Sequence, residues 1–167
     1  MKLNIKSVLF FGIMIAMMGS SCKKDNISLE NNLPEIPVTV PNKAGTWIAP
    51  TVSTSFGAGG AIKIDLEIPA SSGRTIKEIT RVAANTSVAS VQGTTGLYNT
   101  APIPGGGTSV TFNTTLTEYF AKAGGTAFTA ATAGTATSFL AKSFYFMITL
   151  DNGQVIIPTQ VRVYVDK

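Results

Sequence analysis

Between residues 61 and 69, Ile62, Ile64, Leu66 and Ile68 alternate with Lys63, Asp65 and Glu67. A period of two puts every second side chain on the same face of an extended chain. The segment therefore belongs in a sheet with one buried and one wet face. The same alternation returns at 144–150, where Phe144, Phe146, Ile148 and Leu150 are interleaved with Tyr145, Met147 and Thr149. Asp151-Asn152-Gly153 supplies a turn, and 155–165 runs back, with Val161, Val163 and Val165 facing one way and Arg162 and Tyr164 the other. Pro158 breaks this returning strand or marks an edge, because it has no N–H for a ladder.

Weaker patterns fill the space between. Residues 46–56 read as a first strand with Ile48, Val52 and Phe56 on one side, and 109–115 alternate through Val110 and Phe112. In 75–84, Ile76, Ile79 and Val82 are spaced as a helix would space them. A strand with a bulge near Lys77-Glu78 is the favoured reading, since a bulge shifts the inward phase by one residue. Thr115-Leu116-Thr117-Glu118 has the form of a capping box, with Leu116, Tyr119, Phe120 and Ala123 on one face and Gly124-Gly125 as a stop. This predicts one short helix over 116–123. Seven or so short strands with Gly and Pro turns, in about 124 residues, predict an all-β two-sheet sandwich over 44–167. That segment contains no cysteine, so the sandwich has no disulfide.

The N-terminus is of another kind. Lys2 and Lys6 precede an apolar run from Val8 to Met18, followed by Gly19-Ser20-Ser21 and the one cysteine of the chain, Cys22. About twenty apolar residues are needed to span a bilayer, and roughly 7–15 serve a signal peptide. The arrangement resembles a bacterial lipoprotein signal, which implies cleavage after residue 21 and lipid on the Cys22 thiol. Gly19 departs from the usual lipobox, which prefers Leu there, and Ser21 fits it. The alternative is an ordinary secretory signal that leaves Cys22 as a thiol. Cys22-Lys23-Lys24-Asp25-Asn26 is similar to the start of many Bacteroidota lipoproteins, whose charged residues after the cysteine favour surface export. With the sandwich, the resemblance extends to Bacteroidota lipoproteins carrying an immunoglobulin- or fibronectin-type domain near the anchor. It implies a protein held in the outer membrane through its lipid, at the cell surface, with the periplasmic face as the alternative. Residues 22–43, with Pro34, Pro37 and Pro41, read as a tether, of which 36–40 could instead add an edge strand.

Composition excludes much chemistry. Histidine is absent and the one cysteine is Cys22, which removes Ser-His-Asp and Cys-His catalysis and His or Cys metal sites. Losing the signal takes the 13 basic residues to 11 against 9 acidic ones, and no basic patch beyond Lys23-Lys24 suggests nucleic acid. Asp65 and Glu67 lie about 6.8 Å apart on one strand face, within reach of a glycosidase pair, but a solvated strand face accounts for them. Asp151-Asn152-Gly153 lacks the further acids of a calcium loop. Gly57-Ala58-Gly59-Gly60 and Gly105-Gly106-Gly107 lack phosphate-loop spacing and read as turns. No catalytic residue, metal site or cofactor motif is expected.

A binding module then fits best, presenting loops to a glycan or a surface protein. A fimbrillin-like assembly subunit is the alternative, weakened because the first arginine anywhere is Arg74, inside the domain. A carboxylate-dependent hydrolase is the remote third reading. Candidate contacts are aromatic. Tyr98 lies in the long stretch 85–107, exposed or folded over the sandwich edge. Phe128 lies in the Gly/Ala/Thr-rich stretch 123–138, and Trp47, as the single Trp, reads as core or end plug with ligand contact as the alternative.

Overall fold

The structure, a computed structural model, describes residues 36–167; the signal, Cys22 and the tether up to residue 35 lie outside the described residues. The alternating segments form strands as their period requires. In chain order these are β1 (Thr51–Ser55), β2 (Ala61–Glu67), β3 (Ile76–Asn85), β4 (Ile103–Gly107), β5 (Ser109–Thr115), β6 (Ser143–Leu150), β7 (Val155–Ile156) and β8 (Arg162–Asp166). Among the described residues, two α-helices, α1 (Ala89–Gln92) and α2 (Leu116–Ala123), and a short 3-10 turn at Ala70–Ser72 interrupt them.

One layer pairs β2 with β5 antiparallel, Ile64 opposite Phe112. In the other layer the antiparallel order is β4-β3-β6-β7. A bridge between Phe144 and Val161 carries this layer on from β6 to β8, and β8 pairs with β1 in parallel, Val52 opposite Val163. The result is a disulfide-free, all-β two-sheet sandwich. β7 and β8 are the two halves of one returning strand. From Ile156 to Val161 the return is one residue longer than the facing stretch from Ile148 to Phe144, and Pro158 lies in that irregular part.

The inward faces of both layers make one core, with Ile62, Ile64 and Leu66 from β2, Ile79 and Val82 from β3, and Phe144, Phe146 and Ile148 from β6. Phe112, Phe144 and Phe146 pack ring against ring across the layers at 5.3–6.4 Å. They fill the interior between the sheets with aromatic contacts. Tyr119 of α2 fastens the start of β6. Its hydroxyl accepts from the Lys142 N–H at 2.9 Å and donates to the Lys142 carbonyl at 3.2 Å, so a residue without ladder partners keeps both backbone bonds.

Four local expectations change. Residues 36–43 do not leave the domain as a coil: Thr39 exchanges both backbone bonds with Glu67, Asn42 bonds the backbone of Lys63 and Asp65, and Val40 is buried. The first strand starts at Thr51, after Pro50, so Ile48 is fully exposed and only Val52 of the expected trio is core. Gly105-Gly106-Gly107 are not a turn but the end of β4. A Cβ at Gly105 would collide with the Ile76 carbonyl, so only glycine lets β4 come this close to β3 at its bulge. The stretch 85–107 contains α1 and β4 as well as loop.

Candidate functional site

The aromatic candidates separate by burial. Tyr98 is 4% exposed, which corrects its reading as a ligand contact. Its ring packs edge-on against Phe112 and Phe144, at 5.8 and 5.3 Å. Its hydroxyl lies 2.6 Å from Thr114 Oγ1, and Thr114 gives its own proton to Glu118 at 2.8 Å, so Tyr98 is the donor. Lys122 Nζ closes the ring of contacts by donating to Glu118 at 2.7 Å and to the Tyr98 carbonyl at 2.9 Å. Burial pushes the Tyr98 phenol above its ordinary range. Tyr98 is a satisfied core tyrosine that anchors the 85–107 stretch.

Phe128 is half-buried against Phe120 of α2, ring centroids 6.2 Å apart. With Phe56 and Leu116 it lines an apolar hollow of about 270 Å³. The later part of this stretch, 129–138, is tied down. Ala133 is fully buried, Gly134 N–H donates to Val165 O at 2.9 Å, and Ser138 accepts from Val165 N–H at 2.7 Å.

Trp47 is the exception, and it reverses the expectation of a core or end-plug Trp: 51% of it is exposed. It lies in the irregular segment before β1, yet its indole is held. Gly45 has φ +66°, and a Cβ there would come within 2.9 Å of the indole Nε1, so the turn folds the ring over a residue that must lack a side chain. Phe139 meets the indole edge-on at 5.1 Å. The Arg162 guanidinium lies 4.1 Å over the Phe139 ring, and Tyr164 packs on Phe139 at 5.2 Å. A cation over a ring face gains about 0.5–1 kcal/mol at an exposed site, enough to orient the guanidinium.

Trp47 and Arg162 border an open groove of about 510 Å³. It crosses the outer face of the larger layer at one end, where β3, β6 and β8 bring Asn85, Tyr145 and Arg162 beside Trp47 and Ile48. The alternation that sends Phe144, Phe146, Val161 and Val163 inward puts Arg162 and Tyr145 on this outer face, where Tyr145 is buried in a small cluster with Ala83 and Val91 and only its edge reaches the groove. Ser143, opposite Asn85 in the ladder, and Gln160 add a hydroxyl and an amide. The volume is within the usual range for small-molecule sites, and the lining mixes aromatic bodies with a few polar tips. Sequence reasoning named Trp47 but not Arg162 or Tyr145 as site residues. Their outward parity was visible, whereas their meeting depends on the parallel β1–β8 pairing.

The carboxylate pair has a different character. Asp65 accepts from Thr111 Oγ1 at 2.5 Å and pairs with Lys63 at 3.0 Å. The Thr111 hydrogen bond, against partial burial and with help from Lys63, holds its carboxyl below the usual range. A general acid needs the opposite shift. Asp151-Asn152-Gly153 forms the β6–β7 hairpin turn, Gly153 N–H donating to Leu150 O at 3.0 Å. Compared with known proteins, the chain matches no family model, no curated protein and no solved structure.

Proposed function

We propose that this chain is a lipid-anchored cell-envelope binding module, held to the outer membrane through Cys22, whose groove beside Trp47 takes a saccharide. The observation that carries the reading is the half-exposed, pre-positioned Trp47 indole in a groove lined with amide and hydroxyl groups. Sugar rings present C–H faces that stack on indole and hydroxyls that bond to Asn, Gln, Ser and Tyr. An aromatic held in place loses little entropy when a ring docks on it. Ile48, fully exposed beside Trp47, widens the apolar surface at the groove mouth.

Two measurements test the reading. On a glycan array followed by titration, the full chain in detergent should retain a saccharide, and Trp47→Ala should weaken it at least tenfold, about 1.4 kcal/mol. Unchanged retention by a folded Trp47→Ala protein removes the groove from the reading. For the anchor, Cys22→Ala should lose acyl labelling and leave the membrane fraction; a variant still labelled refutes lipidation at that residue.

A further inference from the structure

Resting on the saccharide reading, we infer that the groove selects a carboxylate-bearing sugar, a hexuronate, with Arg162 taking the carboxylate and Trp47 the ring. Arg162 is the one charged residue that lines the groove. It opens β8, its backbone N–H donates to Pro50 O at 2.9 Å, and its side chain is aimed outward by the alternation with Val161 and Val163. One guanidinium face is occupied by Phe139 at 4.1 Å, which leaves the in-plane N–H groups for other partners.

Those groups have no partner among the described residues. The ion pairs there join Lys63 to Asp65, Arg74 to Asp151 and Lys122 to Glu118, and no side-chain hydrogen bond involves Arg162. A planar guanidinium held by stacking, with its fork unused, matches a carboxylate with two parallel hydrogen bonds. The rest of the lining narrows the class. Asn85, Ser143 and Gln160 carry no charge and suit sugar hydroxyls. One cation balances one carboxylate, whereas a polysulfated glycan or a nucleic acid spreads charge along its length and requires a row of cations. The exposed Trp47 beside Arg162 supplies the apolar platform that an isolated carboxylate would not need.

The test uses the full chain in detergent, titrated with trigalacturonate and with its carboxyl-reduced neutral counterpart. The wild type should bind the uronate at least tenfold more tightly than the neutral sugar, and the gap should narrow in high salt. Arg162→Gln should close the gap, and Arg162→Lys should restore only part of it, because an ammonium keeps the charge but not the fork. Equal affinities in the wild type, or a uronate preference that survives Arg162→Gln in a protein with an unchanged melting curve, overturns the inference. Loss of both sugars in Trp47→Ala with no effect of Arg162→Gln sinks the inference and leaves the saccharide reading standing. Retention of neither sugar by the wild type sinks both.

Discussion

Trp47 and Tyr98 are two aromatics whose surroundings in sequence hold similar small and polar residues, yet one is half in water and the other closes the core. The difference lies in partners. Tyr98 has Thr114 for its hydroxyl and two phenylalanine edges for its ring, so burial leaves nothing unsatisfied. Tyr98→Ala should therefore act on folding, lowering stability by about 3–5 kcal/mol in urea denaturation. Trp47→Ala should change stability by less than about 1 kcal/mol and act on binding instead. A Tyr98→Ala protein as stable as the wild type would show that the ring is not the plug described here. Tyr119→Phe isolates a second residue effect. It keeps the ring but leaves the Lys142 N–H and carbonyl without the hydroxyl that serves both, which should cost about 1–3 kcal/mol in the same measurement.

Among the elements, α2 shows both what the sequence reveals and what it hides. Thr115 caps it as read, accepting from the Glu118 N–H at 3.1 Å, and Thr115→Ala should cost about 1 kcal/mol in thermal unfolding. The reciprocal half of the capping box is different, because the Glu118 carboxylate turns to Lys122 and Thr114. Those two hydrogen bonds, Lys122 first, hold its carboxyl below the ordinary carboxylate range. The folded state therefore gives up this proton more readily than the unfolded chain. The resulting stability is fully present above the ordinary carboxylate value and is lost as pH falls through the depressed one. Because the pair is exposed, Glu118→Gln should remove less than about 1 kcal/mol at neutral pH and should flatten the acid limb of a stability–pH curve. An unchanged acid limb would show that the pair is not coupled to folding. β3 explains the helix-like spacing in its sequence. Register shifts at Ile76/Glu78 and again at Ile79/Arg81 each move the inward phase by one, so Ile76, Ile79 and Val82 all reach the core three residues apart. The first bulge was legible; the second depends on the pairing with β6. The alternating strands and α2 could be read because each needs only its own period or cap. β4 could not, because Gly105 is extended only by virtue of its closeness to Ile76, a contact between distant residues. The groove was hidden for the same reason, since it joins residues 47, 85, 145 and 162.

For the whole molecule, the open question is how the sandwich protects its edges. The larger layer ends at β1 on one side, and on the other at the short, glycine-rich β4, which offers few side chains to a new strand. The smaller layer has only β2 and β5 as full strands, and β2 would be an open edge but for residues 36–43. There, Thr39 N–H donates to Glu67 O at 2.8 Å, Glu67 N–H donates to Thr39 O at 2.9 Å, and Asn42 bonds the backbone of Lys63 and Asp65 at 2.9 and 3.0 Å. Val40 adds a side chain to the core. A fragment of residues 36–167 should thus be more stable than one of residues 44–167. Burial of Val40 and the four hydrogen bonds to β2 both favour the longer fragment. A lower urea midpoint for the shorter fragment is the expected result. The shorter fragment should also associate as its concentration rises, because the backbone groups of Lys63, Asp65 and Glu67 become a template for another chain. Adding Val40→Asp to the longer fragment should reproduce the stability loss without the association, since the backbone of Thr39 still covers the edge. Equal urea midpoints for the two fragments would mean that 36–43 acts as a tether after all, and an associating Val40→Asp protein would mean that the side chain rather than the backbone guards β2.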